Sequence, residues 1–356
     1  MGVFDGIVGN EQVLRLLERA LETGVAHAYL FYGAAGVGKR TVARRLGASL
    51  VAGDDAKAEE RARRGLHPDL IEVEPEGAFT TIGQVRNVVR QAASRPFEGV
   101  RRVFLLEADT FNPPAANALL KVLEEPEAGT VFVLLANSRE GVLPTIVSRA
   151  QAIRFNPVPA AQVTEFLKNR GATEPDLATS LGRGSVGLSL RYAEEQELRE
   201  LRDAVFEAAF AYEADFERRH QSSSVILGKA ESVGAAKEAA FLEVFEEPDR
   251  RAKDGAKRAG RAARDVAFRE ALDLLALVYR DAALVGVGAE DLVANVDRVE
   301  EIQRHVRTHP GADWAGAALK AGESKAGLTY NVSPEAILEV ALSQIRQRVL
   351  ERSPGS

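Results

Sequence analysis

Five short apolar runs alternate with amphipathic segments over roughly the first 155 residues. Short apolar runs are typical of buried parallel strands, and the segments between them have helical spacing, so the pattern predicts a parallel α/β sheet. The runs are Ala28–Tyr32, Asp69–Val73, Val103–Leu106, Val131–Ala136 and Ala152–Phe155. One helix between them is clearly marked, because Asn112 can cap it, two prolines fit its first turn and Pro126 prevents its continuation.

After Pro159 the strand pattern does not return, and only helical spacing remains. A first helical stretch is predicted from Ala160 to about Glu194, and longer helices are predicted near 196–219, 235–247, 264–285, 297–307 and 333–351. We therefore expect an α/β domain at residues 1–158 and then two all-helical domains, at residues 159–195 and 196–356. At about 150 residues per domain, a length of 356 residues is consistent with two to three domains.

Composition excludes several functional classes. The chain has no cysteine and only five scattered histidines, which excludes disulfides and thiolate metal sites. With 46 basic and 52 acidic residues the net charge is −6, so no overall positive field attracts nucleic acid. The mean hydropathy is −0.14, no run of 18 apolar residues occurs, and the opening residues show no leader pattern. We expect a cytoplasmic protein without a membrane partner.

Two segments differ in composition from the chain as a whole. Residues 53–65 are all small or charged and are interpreted as a solvated helix or loop. The segment Asp249–Arg264 holds seven basic and two acidic residues, a local net charge of +5. It is interpreted as a solvated connection between helices, and contact with a phosphate backbone is the alternative.

A phosphate-binding loop follows the first predicted strand. Residues 33–39 match the pattern G-x-x-x-x-G-K, with a strand before and a helix after, as the motif requires. Its glycines would let backbone N–H groups face phosphate oxygens, and its lysine would reach the β and γ phosphates. The residue after the lysine should carry the hydroxyl that holds Mg²⁺, but arginine stands there, and the threonine that follows would have to substitute. The candidate nucleotide-binding residues are Gly33, Gly36, Gly38, Lys39, Arg40 and Thr41.

Hydrolysis also needs acidic residues at the end of the third predicted strand, usually a metal-binding aspartate followed by a glutamate. Here Glu107 follows two leucines and Asp109 comes two positions later, so one of the two acidic positions is lost in either alignment. Glu107 is therefore interpreted as an ordinary polar strand end, with a metal-ligand or base role as the alternative.

Four motifs together resemble the clamp-loader subunits of bacterial replicative DNA polymerases, which are AAA+ proteins. The motifs are Phe4–Gly9, Gly33–Lys39, Ala115–Pro126 and Leu143–Arg149. Their order and spacing match too, and shorter matches at 65–69 and 328–334 extend the resemblance over nearly the whole chain. The resemblance implies an AAA+-type P-loop domain, a small helical lid and a helical domain that joins a collar in a ring of related subunits.

The chain also departs from the active members of this family. The family's four-cysteine zinc module is replaced by the cysteine-free segment Val51–Gly65, so no zinc is expected. The lid motif G-S-x-R reads Gly184-Ser185-Val186-Gly187, so the arginine that would sense a γ-phosphate is missing. Asn137 stands where the family has a phosphate sensor and is interpreted as inherited structure.

Arg149 is the remaining candidate catalytic residue. The family's S-R-C triplet reads Ser148-Arg149-Ala150, which keeps the arginine. The resemblance implies that Arg149 reaches the ATP site of a neighbouring motor subunit as an arginine finger in trans. The alternative is a surface arginine after a helix. The implied partners are the gamma/tau and delta subunits, with the sliding clamp and primed DNA in the assembled complex.

The favoured hypothesis is a non-hydrolysing clamp-loader subunit that organises the ring, requires no cofactor and helps to load the clamp. Whether ATP or ADP still binds to the loop is left open. The first alternative is an active P-loop ATPase of the motor class that uses Lys39, Thr41 and Glu107. The second is a free-standing nucleic-acid-binding protein that uses residues 250–264. His67 and Trp314 are expected to have packing or capping roles.

Overall fold

A computed structural model describes residues 2–75, 79–211, 216–243, 245, 249–329 and 332–350. It divides into two compact units, of which the first comprises residues 1–171 with 182–189 and the second residues 172–181 with 190–356. The first unit carries the sheet, and the second is helical. The division into three domains stays a prediction.

Five parallel strands form one sheet in the order β2-β3-β4-β1-β5. Their bounds are β1 Ala28–Tyr32, β2 Leu70–Val73, β3 Arg102–Glu107, β4 Thr130–Ala136 and β5 Gln151–Arg154. All five predicted strands are confirmed, with ends that differ by one residue at most. The prediction is easiest for β1, β3 and β4, because strands buried on both faces are nearly continuous apolar runs.

Helices cover both faces of this sheet. The helices of the first unit are α1 Glu11–Thr23, α2 Lys39–Ala52, α3 Ala56–Arg63, α4 Ile82–Ala92, α5 Pro113–Glu124, α6 Pro144–Val147 and α7 Ala160–Asn169. Tyr29 and Phe31 of β1 pack into one apolar cluster with side chains of α1 and α2. Leu30, between them, packs on the opposite face with side chains of α4 and α5. This alternation follows from the two-residue repeat of a strand.

The predicted cap of α5 is confirmed, because Asn112 accepts a hydrogen bond from the backbone N–H of Ala115 at 2.9 Å. Residues 53–65, predicted as a solvated helix or loop, contain α3. Ala58 and Ala62 of this helix are buried, so one face of it is packed rather than solvated.

The second unit is built of helices of very different length. Two of them, α8 Pro175–Gly182 and α9 Val186–Glu194, also contribute residues to the first unit. The others are α10 Gln196–Ala209, α11 Phe216–Leu242, α12 Arg250–Gly286, α13 Val299–Thr308, α14 Trp314–Glu323, α15 Ala326–Thr329 and α16 Pro334–Leu350. Trp314 is buried beside Tyr279, which confirms its packing role.

One interpretation is wrong. Residues 249–264 are not a connection between helices, because α12 begins at Arg250 and continues to Gly286 without a break. Asp249 caps this helix by accepting a hydrogen bond from Ala252 N at 2.7 Å. Ala252, Ala256 and Gly260 are the buried residues in the first part of this helix, so small residues supply the packing there.

Several predicted segments extend outside the described residues. These are parts of the helices predicted near 196–219, 235–247 and 333–351, and Tyr330 and Asn331 of the segment 328–334. Within the described part of the chain, no helix is both long enough and apolar enough to cross a membrane.

Candidate functional site

The phosphate-binding loop lies between β1 and α2, at the carboxyl end of the sheet. Gly33 opens it with φ 148°, and its N–H donates to the carbonyl oxygen of Ala136 at 3.2 Å. A Cβ atom on Gly33 would lie 2.2 Å from the carbonyl oxygen of Phe155, so only glycine fits here. The ends of parallel strands are where ligands bind in such sheets. The predicted loop therefore lies where ligands bind in a parallel sheet.

The start of the segment Gly182–Ser189 packs directly on this loop. Gly36 has φ 75°, and a Cβ on it would lie 1.9 Å from Ser185 Oγ. The N–H of Gly187 donates to the carbonyl oxygen of Gly36 at 3.2 Å. Gly187 occupies the motif position where the family carries its sensing arginine, so backbone alone meets the loop there.

Lys39, at the start of α2, is bound to its own loop. Its Nζ donates to the carbonyl oxygens of Gly33 at 2.6 Å and Ala34 at 2.7 Å. Burial lowers the pKa of the Lys39 ammonium, and the nearby carboxylates of Glu107 and Asp109 oppose that shift. The ammonium that would meet β and γ phosphates is thus engaged by loop carbonyls.

Arg40 links the loop helix to two neighbouring strands. Its Nη2 lies 2.5 Å from Glu107 Oε1 at the end of β3, and its Nη1 lies 3.3 Å from Glu72 Oε2 in β2. Arg44, one turn later in α2, donates from Nε to the other oxygen of Glu72 at 2.5 Å. Glu74 Oε1 also lies 3.9 Å from Arg40 Nη1, so three carboxylates and two guanidinium groups form one charged network beside the loop.

These residues do not fit a Mg²⁺-bound nucleotide. The guanidinium of Arg40 stands where the motif requires a metal-binding hydroxyl, and it already neutralises Glu107. Thr41, the predicted substitute, is exposed, and its hydroxyl makes no hydrogen bond within the described part of the chain. The site thus carries an internal cation in place of a metal ligand set.

Asp109 and Asn137 form a second polar pair at this edge of the sheet. One oxygen, Asp109 Oδ2, accepts hydrogen bonds from Asn137 N at 2.8 Å and Asn137 Nδ2 at 2.9 Å. The carboxylate thereby ties the turn after β4 to the end of β3. This contact gives Asn137 a structural partner.

Arg149 follows α6 and is held by three acceptors of its own chain. Its Nη1 donates to the carbonyl oxygen of Thr145 at 2.9 Å and to Ser148 Oγ at 3.2 Å. Its Nη2 donates to the carboxylate of Glu124, the last residue of α5. The side chain is still 32% exposed. Sequence reasoning missed Glu124, because neither residue spacing nor a helical pattern links it to Arg149.

Asp69 is a second residue that sequence reasoning missed. Its buried carboxylate accepts hydrogen bonds from the backbone N–H groups of residues 97–99 at 2.8–2.9 Å and from Arg102 Nε at 2.9 Å. Burial raises the pKa of Asp69, but these donors outweigh it and lower the pKa to about 2. His67 is also buried and accepts from Asp69 N at 3.2 Å, which agrees with a packing role.

Among the described residues, one group has the spacing of metal ligands. His220, Glu335 and Glu339 place their ligand atoms within 4.8 Å of one another on the surface of the second unit. His220 Nδ1 lies 2.6 Å from Glu339 Oε1, so a hydrogen bond accounts for the approach of these two. The expected absence of zinc stays a prediction.

Sheet order and loop together define the class. A parallel sheet of order 2-3-4-1-5 with a phosphate-binding loop after β1, followed by helices, is the nucleotide-binding fold of AAA+ proteins. A family model described as "DNA polymerase III, delta subunit" matches residues 9–159.

Curated relatives narrow the class further. DNA polymerase III subunit delta' of Bacillus subtilis is 26% identical over 340 residues, 92% of this chain and 93% of the relative. Subunit delta' of Pseudomonas aeruginosa is 41% identical over 162 residues, 42% of this chain and about half (49%) of the relative. DNA polymerase III subunit tau of Salmonella typhimurium is 31% identical over 205 residues, 53% of this chain and 32% of the relative. The chain is thus similar over most of its length to a DNA polymerase III delta' subunit, and over shorter stretches to a second delta' subunit and to a tau subunit.

Proposed function

We propose that this chain is a clamp-loader subunit that hydrolyses no ATP itself and donates Arg149 to the ATP site of a neighbouring motor subunit. In this role it organises the ring and helps to load the sliding clamp onto primed DNA. The observation that carries the proposal is the ion pair of Arg40 with Glu107, at 2.5 Å.

This ion pair argues against hydrolysis by the chain's own loop. Phosphoryl transfer depends almost entirely on positioned charge, above all a metal ion and the groups that hold it. Here Glu107 is neutralised by Arg40, Lys39 is bound to loop carbonyls, and Gly187 offers no cation. Three of the charges that the reaction needs are thus engaged or missing.

The surroundings of Arg149 support a role toward another chain. Its contacts use Nη1 and Nη2, and its Nε–H has no acceptor among the residues that the structure describes. A guanidinium offers five N–H donors in a planar fork, which suits phosphate oxygens. Arg149 can therefore stay fixed to its own chain and still have N–H donors left for a phosphate of another chain.

The partners follow from the family. Relatives of this chain include tau subunits of DNA polymerase III, so a gamma/tau motor subunit is the proposed neighbour. The delta subunit, the sliding clamp and primed DNA complete the proposed complex. Residues 196–356 would form its part of the collar.

Reconstitution with gamma/tau and delta subunits, sliding clamp and primed DNA tests the proposal. We expect Arg149→Ala to leave assembly intact and to reduce turnover at the adjoining motor site on the order of 10³-fold, the effect of an arginine finger. Total ATPase should fall only in part, because the ring has several sites. Arg149→Lys should not restore the rate, since a single ammonium cannot replace the planar fork.

The matched control is Arg139→Ala. Arg139 is exposed, lies in the loop before α6 and makes no ion pair with the described residues. If Arg149→Ala and Arg139→Ala both load clamps at the wild-type rate, Arg149 is only a surface arginine.

The isolated chain separates the proposal from the active-ATPase alternative. We expect no ATP hydrolysis above background with Mg²⁺ and primed DNA. Turnover on the order of 1 per second, abolished by Lys39→Ala, would instead support an ATPase of the motor class.

A further inference from the structure

A line of cations runs along the first half of α12, in the second unit. We define the basic stripe as Arg250, Lys253, Lys257, Arg261 and Arg264. At about 100° per residue, these five positions fall within an arc of about 80° on one side of the helix. From first to last the stripe is about 21 Å long, because a helix rises about 1.5 Å per residue.

The stripe is exposed, and most of it is unpaired. All five side chains belong to exposed residues. Arg264 pairs with Asp265 at 3.0 Å. The other four have no carboxylate within ion-pair distance among the described residues, although Glu238 of the adjacent helix α11 lies close to Gly260. These four side chains are therefore exposed and form no ion pair within the described part of the chain, although Asp254 lies between them in the sequence.

This arrangement is unfavourable for the helix itself. Lys253 and Lys257, and Lys257 and Arg261, are like-charge pairs at spacing i,i+4, which destabilise a helix. The stripe also begins at the helix N-terminus, where the macrodipole favours negative rather than positive side chains. Packing of Ala252, Ala256 and Gly260 holds the helix together in spite of this repulsion. A polyanion bound along the stripe would relieve the repulsion between these cations.

We infer that the basic stripe binds the phosphate backbone of nucleic acid without reading its sequence. Rows of lysine and arginine on one helix face are the pattern that neutralises backbone phosphates. The local net charge of +5 stands in a chain of net charge −6, so the attraction is confined to this surface. The inference goes beyond the proposed function, because it needs neither Arg149 nor the assembled ring.

Binding of labelled DNA to the isolated full-length chain tests this inference. The probes are a DNA duplex and a DNA single strand, each of about 20 nucleotides. Their binding is measured by fluorescence anisotropy at several salt concentrations. With about four phosphate contacts, the affinity for duplex should fall about 100-fold between about 50 and 200 mM salt. The single strand should show a shallower salt slope, because its phosphates release fewer counterions.

The informative variant is Lys253→Gln/Lys257→Gln/Arg261→Gln. It should weaken duplex binding at least about tenfold at low salt and reduce the salt slope by about three, one for each lost contact. The matched control is Arg86→Gln/Arg304→Gln/Arg307→Gln, which removes the same charge from exposed positions outside the stripe. The control should bind like wild type.

Three results would overturn the inference. The first is no salt-dependent DNA binding by the wild-type chain. The second is equal weakening in both triple variants, because net charge rather than the stripe would then be responsible. The third is capture of polyglutamate as tightly as DNA, since the stripe would then select acidic polypeptide equally well. Circular dichroism of each variant ensures that lost binding is not lost folding.

Discussion

Arg149 and Glu124 lie 25 positions apart in the sequence, yet the guanidinium of the first donates a hydrogen bond to the carboxylate of the second. The contact joins the residue after α6 to the last residue of α5. It fixes one side of a guanidinium whose Nε–H has no acceptor among the described residues. The orientation of Arg149 therefore depends on a residue in a different helix.

Glu124→Gln should lower the ATPase of the reconstituted ring, by less than Arg149→Ala does. The glutamine keeps the size of the side chain but loses the charge that holds the guanidinium, so Arg149 should sample more orientations. Stability should change by no more than about 1 kcal/mol, because the pair is partly exposed. Steady-state ATPase and thermal unfolding measure the two effects.

Glu125→Gln is the control for this variant, because Glu125 is the next residue, is exposed, and its side chain makes no hydrogen bond with described residues. If Glu124→Gln matches this control while Arg149→Ala slows the ring, Arg149 acts without help from Glu124.

Arg40→Thr should strengthen Mg²⁺-dependent binding of a fluorescent adenine nucleotide relative to the wild-type chain. The change removes the internal cation from Glu107 and supplies the hydroxyl that the motif requires. Turnover should stay at background, since no sensing arginine is present at Gly187. Titration with and without Mg²⁺ measures the effect.

Arg45→Thr serves as the control, because Arg45 lies in the same helix and its side chain donates, among the described residues, only to the carbonyl oxygens of Val3 and Asp5. Tight Mg²⁺-dependent binding by the wild-type chain would show that Arg40 does not replace the metal.

Asp69→Asn should lower the free energy of unfolding by about 2 to 3 kcal/mol at pH 7. The folded-state pKa of about 2 lies below the ordinary value of 3.8, so the carboxylate stabilises the fold above its ordinary pKa. This stabilisation is lost as the pH falls through 2. The difference between wild type and variant should therefore shrink as the pH falls below about 4.

Urea unfolding at several pH values checks this expectation, with Asp54→Asn, at an exposed position without hydrogen bonds among described residues, as the control. A difference that stays constant over this pH range would mean that the charge of Asp69 contributes nothing.

The purified, tag-free chain should contain no stoichiometric zinc. It has no cysteine, and His220, Glu335 and Glu339 are surface side chains, two of which form a hydrogen bond with each other. Elemental analysis provides the measurement. Zinc at one equivalent, lost in His220→Ala but kept in His27→Ala, would contradict the prediction and locate the site.

The sequence predicted the sheet well and the second unit less well, for physical reasons. The three central strands, β1, β3 and β4, are runs of mostly large apolar residues, as in Phe132 and its neighbours, which a pattern search detects directly. The first half of α12 buries Ala252, Ala256 and Gly260, and such small residues give little apolar signal beneath seven cations. The segment was therefore interpreted as a connection.

Sequence patterns also predict only part of the candidate site. Residue types alone indicated that Arg40 replaces a hydroxyl, because the motif fixes that position. Its partner could not be predicted, since Arg40 and Glu107 are 67 positions apart and meet only when β3 lies next to the loop helix. Contacts of this kind depend on strand order, which no local pattern contains.

The pairing of Arg40 with Glu107 also affects how the loop responds to its surroundings. A metal ion leaves and returns, and its occupancy follows the concentrations of metal, chelator and nucleotide. Arg40 is covalently part of the chain, so its guanidinium cannot leave the site. Chelators and changing nucleotide levels should therefore leave the charge balance beside this loop unaltered, so the subunit would keep one loop geometry throughout a loading cycle.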